Sequence, residues 1–196
     1  MNLTKILTYV FFVVAILLAL FLFNSIKSEI DHKKRIAEVE ARVIEKLKMI
    51  REAQTAYLGS NGEYTADWDK LLSFVDTGKI YIVQNREEII TLDYGADSVV
   101  LYIDTLGSVD VMDSLFNEKK YPGFNLDEMA IIPETKGKKF QMFADKITKG
   151  NVEVDVIEVK DIAPFDKDRE EDSEARNRQP LRFGSRSQVT ISGNWE

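Results

Sequence analysis

The spacing of apolar residues changes character as the chain is read forward. Residues 6–23 form an apolar run of 18 with no charge. At 1.5 Å rise per residue a helix of that length spans about 27 Å, close to the hydrocarbon thickness of a bilayer. A helix is also the form in which one segment satisfies its own backbone in lipid. Behind this run, apolar positions thin out to steps of three and four, which marks one face of an amphipathic helix. Ile36, Val43, Ile50 and Tyr57 are each seven apart, and Val39 and Leu47 fall on the same face. The first Gly is Gly59 and the first Pro is Pro122. The pattern therefore predicts one unbroken helix, embedded in a membrane at its front and wet behind, ending at Gly59 in a left-handed cap.

Beyond residue 59 the pattern is mixed. Asp67, or Thr65, can cap a short helix over 67–76 that puts Trp68, Leu71, Leu72 and Val75 on one face, with Gly78 closing it. Short β-branched runs follow at 79–83, 88–92, 99–103 and 109–112, and 93–97 reads as a turn. Asn125 can cap one helical turn through Met129. Residues 139–143 and 152–156 read as a hairpin around Lys149-Gly-Asn151, and the adjacent Val156 and Ile157 break the period of two, which predicts a bulge. Residues 164–180 are charged and almost free of apolar side chains, as in an exposed loop or a poorly ordered insertion. The predicted fold class is α+β, with the long helix packed on one antiparallel sheet. The predicted organisation is a flank over 1–5, a transmembrane helix over 6–26, an amphipathic stalk over 27–58, an α+β soluble domain over 59–163, a charged loop over 164–180 and a C-terminal strand or tail over 181–196. Docking of the stalk's second half on the sheet is favoured over a coiled coil, because Lys46 and Tyr57 suit a coiled-coil seam poorly.

For the apolar run, a cleaved secretory signal is the rival reading. The run exceeds the usual 7–15 residues, and Asn24-Ser-Ile-Lys27 offers no small-x-small site. Lys5 and Lys27 bracket it, and Tyr9 suits an interfacial belt. Ile6, Phe11, Phe12, Leu17, Leu20 and Phe23 are the expected lipid-facing positions. Lys27, Lys33, Lys34 and Arg35 follow the span, so charge alone leans toward a cytoplasmic C-terminal part.

A net charge of −7 argues against a nucleic-acid binder. The absence of Cys removes disulfides, thiolate metal sites and Cys nucleophiles together. His32, the single His, sits among charges just past the span and is expected to be exposed. Asp166, Asp168, Glu170 and Asp172 alternate as in the start of a calcium loop, but Glu171 stands where such a loop turns on Gly, and Asn177 where it closes on Glu. That run is expected to be a solvated acidic stretch. Lys136, Lys138 and Lys139, with Lys119 and Lys120, are expected to be solubilising. Tyr64 and Trp68 are expected to pack under the helix. No catalytic residue, cofactor or metal ligand is expected.

Three motifs carry a resemblance: Ile50-Arg-Glu-Ala-Gln-Thr-Ala-Tyr57, Asn61-Gly-Glu-Tyr-Thr65 and Trp68-Asp-Lys-Leu-Leu72. In that order, over residues 5–75, the chain resembles type IV pilins and pseudopilins. Those proteins run a membrane helix into an amphipathic one, then an Asn-Gly-x-Tyr turn, a small helix and an antiparallel sheet. Asn61, Gly62, Tyr64 and Trp68 are the matching positions here. The family's Gly before the apolar run and Glu inside it are missing. The chain also resembles uncharacterised single-span bacterial envelope proteins that end in Gly-Asn-Trp-Glu. The likeness implies a non-enzymatic inner-membrane protein with a periplasmic domain, acting as scaffold or accessory subunit of a secretion, motility or pilus-like machine. Its implied partners are the membrane and other envelope proteins, with self-association through span and stalk. The alternative is a membrane-tethered module whose β-domain binds a peptide, glycan or lipid.

Overall fold

A single helix, α1 (Leu3–Asn61), occupies the first 59 described residues. The structure is a computed structural model describing residues 3–91 and 97–196, the side chains of 3–6, 9, 91 and 97 excepted. Lys5, Ile6 and Tyr9, expected at the front of the span, thus have side chains outside the described residues, and most of the turn expected at 93–97 lies outside them too. The chain divides into two compact units, Met1–Arg42 and Val43–Glu196. The helix is unbroken through residue 26, as expected, and runs on past 58. With neither Gly nor Pro before residue 59, nothing in the sequence interrupts the helical hydrogen bonding there.

Among its described residues the first unit is helix alone. Phe11, Phe12, Leu17, Leu20 and Phe23 are all exposed, and the helix is long and apolar enough to cross a membrane. Further along, Lys33 pairs with Glu29 at 3.4 Å and Lys34 with Glu38 at 3.9 Å, one turn apart. His32 is exposed, Ile36 is half-buried and Val39 is buried.

The second unit begins with the rear of α1. Val43, Leu47, Ile50 and Ala53 are buried, in steps of four and three. The helix does not stop at Gly59, which lies inside it. It ends at Asn61, and Gly62 takes the left-handed conformation (φ 79°), its N–H donating to Leu58 O at 2.8 Å. Asn61 Nδ2 donates back to Tyr57 O at 3.1 Å, one turn up the helix, within its last turn.

Asp67 caps α2 (Trp68–Thr77), accepting from the Asp69 N–H at 2.9 Å. Thr65 is instead buried, and its hydroxyl accepts from Asp67 N. The runs expected at 79–83 and 88–92 are one strand, β1 (Lys79–Thr91), paired antiparallel with β2 (Asp97–Asp110). The strand expected at 109–112 holds only to Asp110. Asp110 ends β2, and Val111 and Met112 start α3 (Val111–Leu115), with Val111 fully buried. Asn125 caps α4 (Leu126–Met129), accepting from Asp127 N at 3.1 Å.

A separate three-stranded sheet follows: β3 (Gln141–Lys149), β4 (Val152–Lys160) and β5 (Arg182–Gly184), with β4 central. The single sheet expected from the sequence is therefore two. The bulge expected at Val156-Ile157 is absent, and β3 and β4 pair in unbroken register from Gln141↔Lys160 to Lys149↔Val152. Consecutive residues point to opposite faces, so Val156 and Ile157 are buried on opposite sides of a strand covered on both. Met142, Val159 and Phe183 share the face next to α1, where Gln54 Nε2 reaches Met142 Sδ at 3.4 Å. Gly184 (φ 80°) lets β5 pass so close to Ile157 O that a Cβ there would collide with it. The C-terminal strand is only three residues long; the chain then turns, and Phe183 bridges Gly193.

Candidate interaction surface

Two stretches of α1 behave differently toward the rest of the second unit. The face carrying Val43, Leu47 and Ile50 is closed over, while Tyr57 remains half-buried with its ring edge-on to Phe74 at 5.2 Å. Polar ties fix this packing. Lys46 Nζ donates to Glu128 O and Ile131 O, the latter at 2.9 Å, just after α4. Gln54, fully buried, holds both backbone groups of Thr65: Nε2 donates to its carbonyl at 2.6 Å and Oε1 accepts from its N–H at 3.2 Å. Trp68 Nε1 donates to Phe140 O at 3.1 Å, and Tyr64 is half-buried with its hydroxyl pKa raised, first by burial and then by nearby Asp155. The turn residues Asn61, Gly62, Tyr64 and Trp68 therefore lie along one short path from the helix end to the start of β3.

Residues 193–196 form a latch on the same helix. Arg51 Nη1 donates to Glu196 Oε1 at 2.7 Å and to Ile191 O at 3.2 Å, and its guanidinium lies 5.9 Å from the Trp195 ring centre. The Arg51 hydrogen bond holds the Glu196 carboxyl below its ordinary pKa. Buried Asn194 donates to Pro180 O at 2.9 Å and accepts from Arg182 N at 3.1 Å, closing the 164–180 segment onto β5. That segment is exposed but tied down. Arg169 donates to Asn177 O and Gln179 O, each at 2.8 Å, and Glu170 N donates to Arg178 O.

The expected chemical candidates do not converge. Among the described residues, no group of three or more His, Asp or Glu is placed to hold a metal ion. Asp166 accepts from Asp168 N, so it serves the loop's own turn. Lys120 pairs with Glu52 at 2.6 Å, while Lys119, Lys136, Lys138 and Lys139 are exposed. The buried carboxylate Glu158 is matched by Arg186 at 2.8 Å and Arg182 at 3.7 Å. A cavity of about 430 Å³ lies between the rear of α1, Ile80 and Tyr81 of β1, Leu115 of α3 and Ile191, with Arg51 and Glu52 at its wall.

The most unusual surface is the β1–β2 ribbon. Among the described residues it has two strands only, so both outer edges carry unpaired backbone groups. From Tyr81 to Ile90 every side chain is exposed, as is each from Leu101 to Leu106. The pairing sorts the two faces. Tyr81, Val83, Ile89, Val99, Leu101 and Ile103 share one face and are 49–68 % exposed, with Asn85 and Glu87 beside Ile103 and Leu101 on it. The opposite face mixes Gln84, Arg86, Glu88, Ser98 and Asp104 with Ile90, Val100 and Tyr102, the Arg86 guanidinium lying 5.2 Å from the Tyr102 ring centre. A bulge at Leu106, between the Ile82↔Gly107 and Val83↔Thr105 pairs, separates the ribbon's base from its arm.

Compared with protein-family models, with curated proteins and with solved structures, the chain finds no significant match in any of the three.

Proposed function

We propose that this chain is a non-enzymatic, single-span protein of the bacterial inner membrane whose α+β unit lies in the periplasm. It serves there as a scaffold or accessory subunit of an envelope assembly of the secretion, motility or pilus-like kind. One observation carries the reading: the chain leaves two large apolar surfaces uncovered. One is the front of α1, of a length suited to lipid. The other is the β1–β2 ribbon, where Tyr81, Val83, Ile89, Val99, Leu101 and Ile103 share a face and are each about half or more exposed. The order of span, amphipathic helix, Asn61-Gly-Glu-Tyr64 turn, short helix and antiparallel strands supports the pilin-like part of the proposal. The buried polar side chains support its non-enzymatic part, because Gln54, Glu158 and Asn194 are engaged in holding the fold.

The cavity beside Ile80, Leu115 and Ile191 favours a second reading, a membrane-tethered module that binds a small apolar ligand. Mass spectrometry of the complex extracted in mild detergent from native membranes separates the two. The scaffold reading expects at least one other envelope protein in fixed stoichiometry. Recovery of this chain with no such companion would overturn it.

A further inference from the structure

The two edges of the ribbon are not alike. The middle of β1 is Arg86-Glu-Glu88, and charge at that position blunts an edge against pairing. The corresponding stretch of β2 is Val99-Val-Leu-Tyr-Ile103, five β-prone residues without a charge, bounded by Asp97 and Asp104. Such a segment on a free edge is a template for another strand. An isolated two-stranded ribbon is also marginally stable at best in water, whereas three or more strands with a shared apolar face hold together.

We propose that the free edge of β2 pairs antiparallel with β2 of a second copy of this chain, about a two-fold axis at Leu101. The sequence is self-complementary in that register. Leu101 stands opposite its own counterpart, Val99 opposite Ile103, and Val100 opposite Tyr102. Asp104 meets Ser98 and Asp97 meets Thr105, so no carboxylate faces another. All opposed positions have the same parity, which keeps the face of Val99, Leu101 and Ile103 on one side of both ribbons. The product is a four-stranded sheet ordered β1-β2-β2-β1. Its outer edges are the two charged β1 strands, so the assembly closes at two copies and does not run on into a filament. Pairing β1 with β1 in the register that sets Arg86 against Glu88 would instead force Glu87 against Glu87. The pairing rests on reading the ribbon as an interaction element, but it needs no other protein.

The natural absence of Cys makes the test direct. Full-length Leu101→Cys, purified in detergent and returned to lipid nanodiscs or liposomes, is treated with a mild oxidant. Residues directly opposed on antiparallel strands have Cα atoms about 4.5–5.5 Å apart, within the range a disulfide spans. Leu101→Cys is expected to form a covalent dimer at least tenfold faster than Glu87→Cys on the charged edge. Val99→Cys and Ile103→Cys are each expected to cross-link poorly alone and readily when mixed, which fixes the register. All four positions are exposed, and Trp fluorescence checks that each variant is folded. Equal rates for Leu101→Cys and Glu87→Cys overturn the proposal. If a fluorophore on the thiol of the Leu101→Cys variant is quenched by lipid-borne quenchers, without cross-linking, the proposal is overturned in favour of a lipid contact. Because the assay contains only this chain, its failure leaves the assembly role to be judged by native-membrane mass spectrometry.

Discussion

Replacing Gln54 with Leu removes its two hydrogen bonds to Thr65 and the weaker one to Met142 Sδ, while keeping a helix-compatible side chain of similar volume. In the wild-type fold Gln54 is 1 % exposed and Thr65 is 7 % exposed. Both backbone groups of Thr65 depend on this side chain, at 2.6 and 3.2 Å. A buried donor or acceptor stripped of its partner costs about 1–3 kcal/mol. Two such groups are stranded in Gln54→Leu, and the extra apolar surface of Leu offsets part of the loss. The net expectation is a destabilisation of about 2–4 kcal/mol. For a unit of this size 1 kcal/mol moves Tm by roughly 2–4 °C, so Tm should fall by roughly 5–15 °C. The two Trp residues, Trp68 and Trp195, both belong to the second unit, so Trp fluorescence in detergent follows its melting without interference from the span. Gln54→Glu should be at least as damaging, because it sets a carboxylate oxygen against Thr65 O. Thr55→Ala, one residue along on the exposed side, should stay within about 0.5 kcal/mol. A Gln54→Leu protein melting within about 2 °C of wild type would refute the view that this side chain pins the turn to the helix.

The end of α1 can be located by a pair of substitutions read in the same melt: Gly62→Ala forces a left-handed residue and should cost about 1–2 kcal/mol, whereas Gly59→Ala lies inside the helix and should gain roughly 0.5–1 kcal/mol. The Arg51–Glu196 latch should loosen on acidification. The folded-state pKa of Glu196 is depressed, so its contribution is present above the ordinary carboxylate value and is lost as pH falls through the lower folded value. Glu196→Gln should remove that part of the pH dependence in a stability profile measured by denaturant titration. Tyr121 has its phenol pushed up to about 12 by burial first and by Glu52 second, so ultraviolet titration of Glu52→Gln should bring it down but not back to 10. Since that folded pKa is raised, its stabilising contribution is full below pH 10 and disappears as pH rises through about 12.

Features set by near neighbours along the chain were legible. The uninterrupted helix, the Asp67 and Asn125 caps and the β3–β4 turn at Gly150 each follow from a few adjacent residues. The helix end was misread by three residues because a Gly can sit inside a helix when a better stop lies ahead, here Gly62 with the side chain of Asn61. Val156-Ile157 was misread because two adjacent apolar residues signal either a bulge or a strand covered on both sides, and only the packed structure separates these. Gln54 went unremarked as a clamp, although it stands four residues after Ile50 and seven after Leu47. A polar residue on the buried face of a helix needs a partner, and that was the available signal.

The ribbon shows a deeper limit of pattern reading. Val99-Val-Leu-Tyr-Ile103 in β2 is an unbroken apolar run of the kind that a strand covered on both faces shows, with Ile89 opposite Val99 in β1. Periodicity reports that a face is apolar, and it carries no information about what covers that face. In β4 the cover is supplied by the same chain, and Val156 to Val159 are buried. In the ribbon, among the described residues, no third strand is supplied, and the same kind of side chain is left about half or more exposed. A chain that can bury β4 on both faces does not lack the means to cover a strand. On the pairing proposed above, the uncharged β2 edge and the apolar residues beside it find their cover in a contact made outside the monomer.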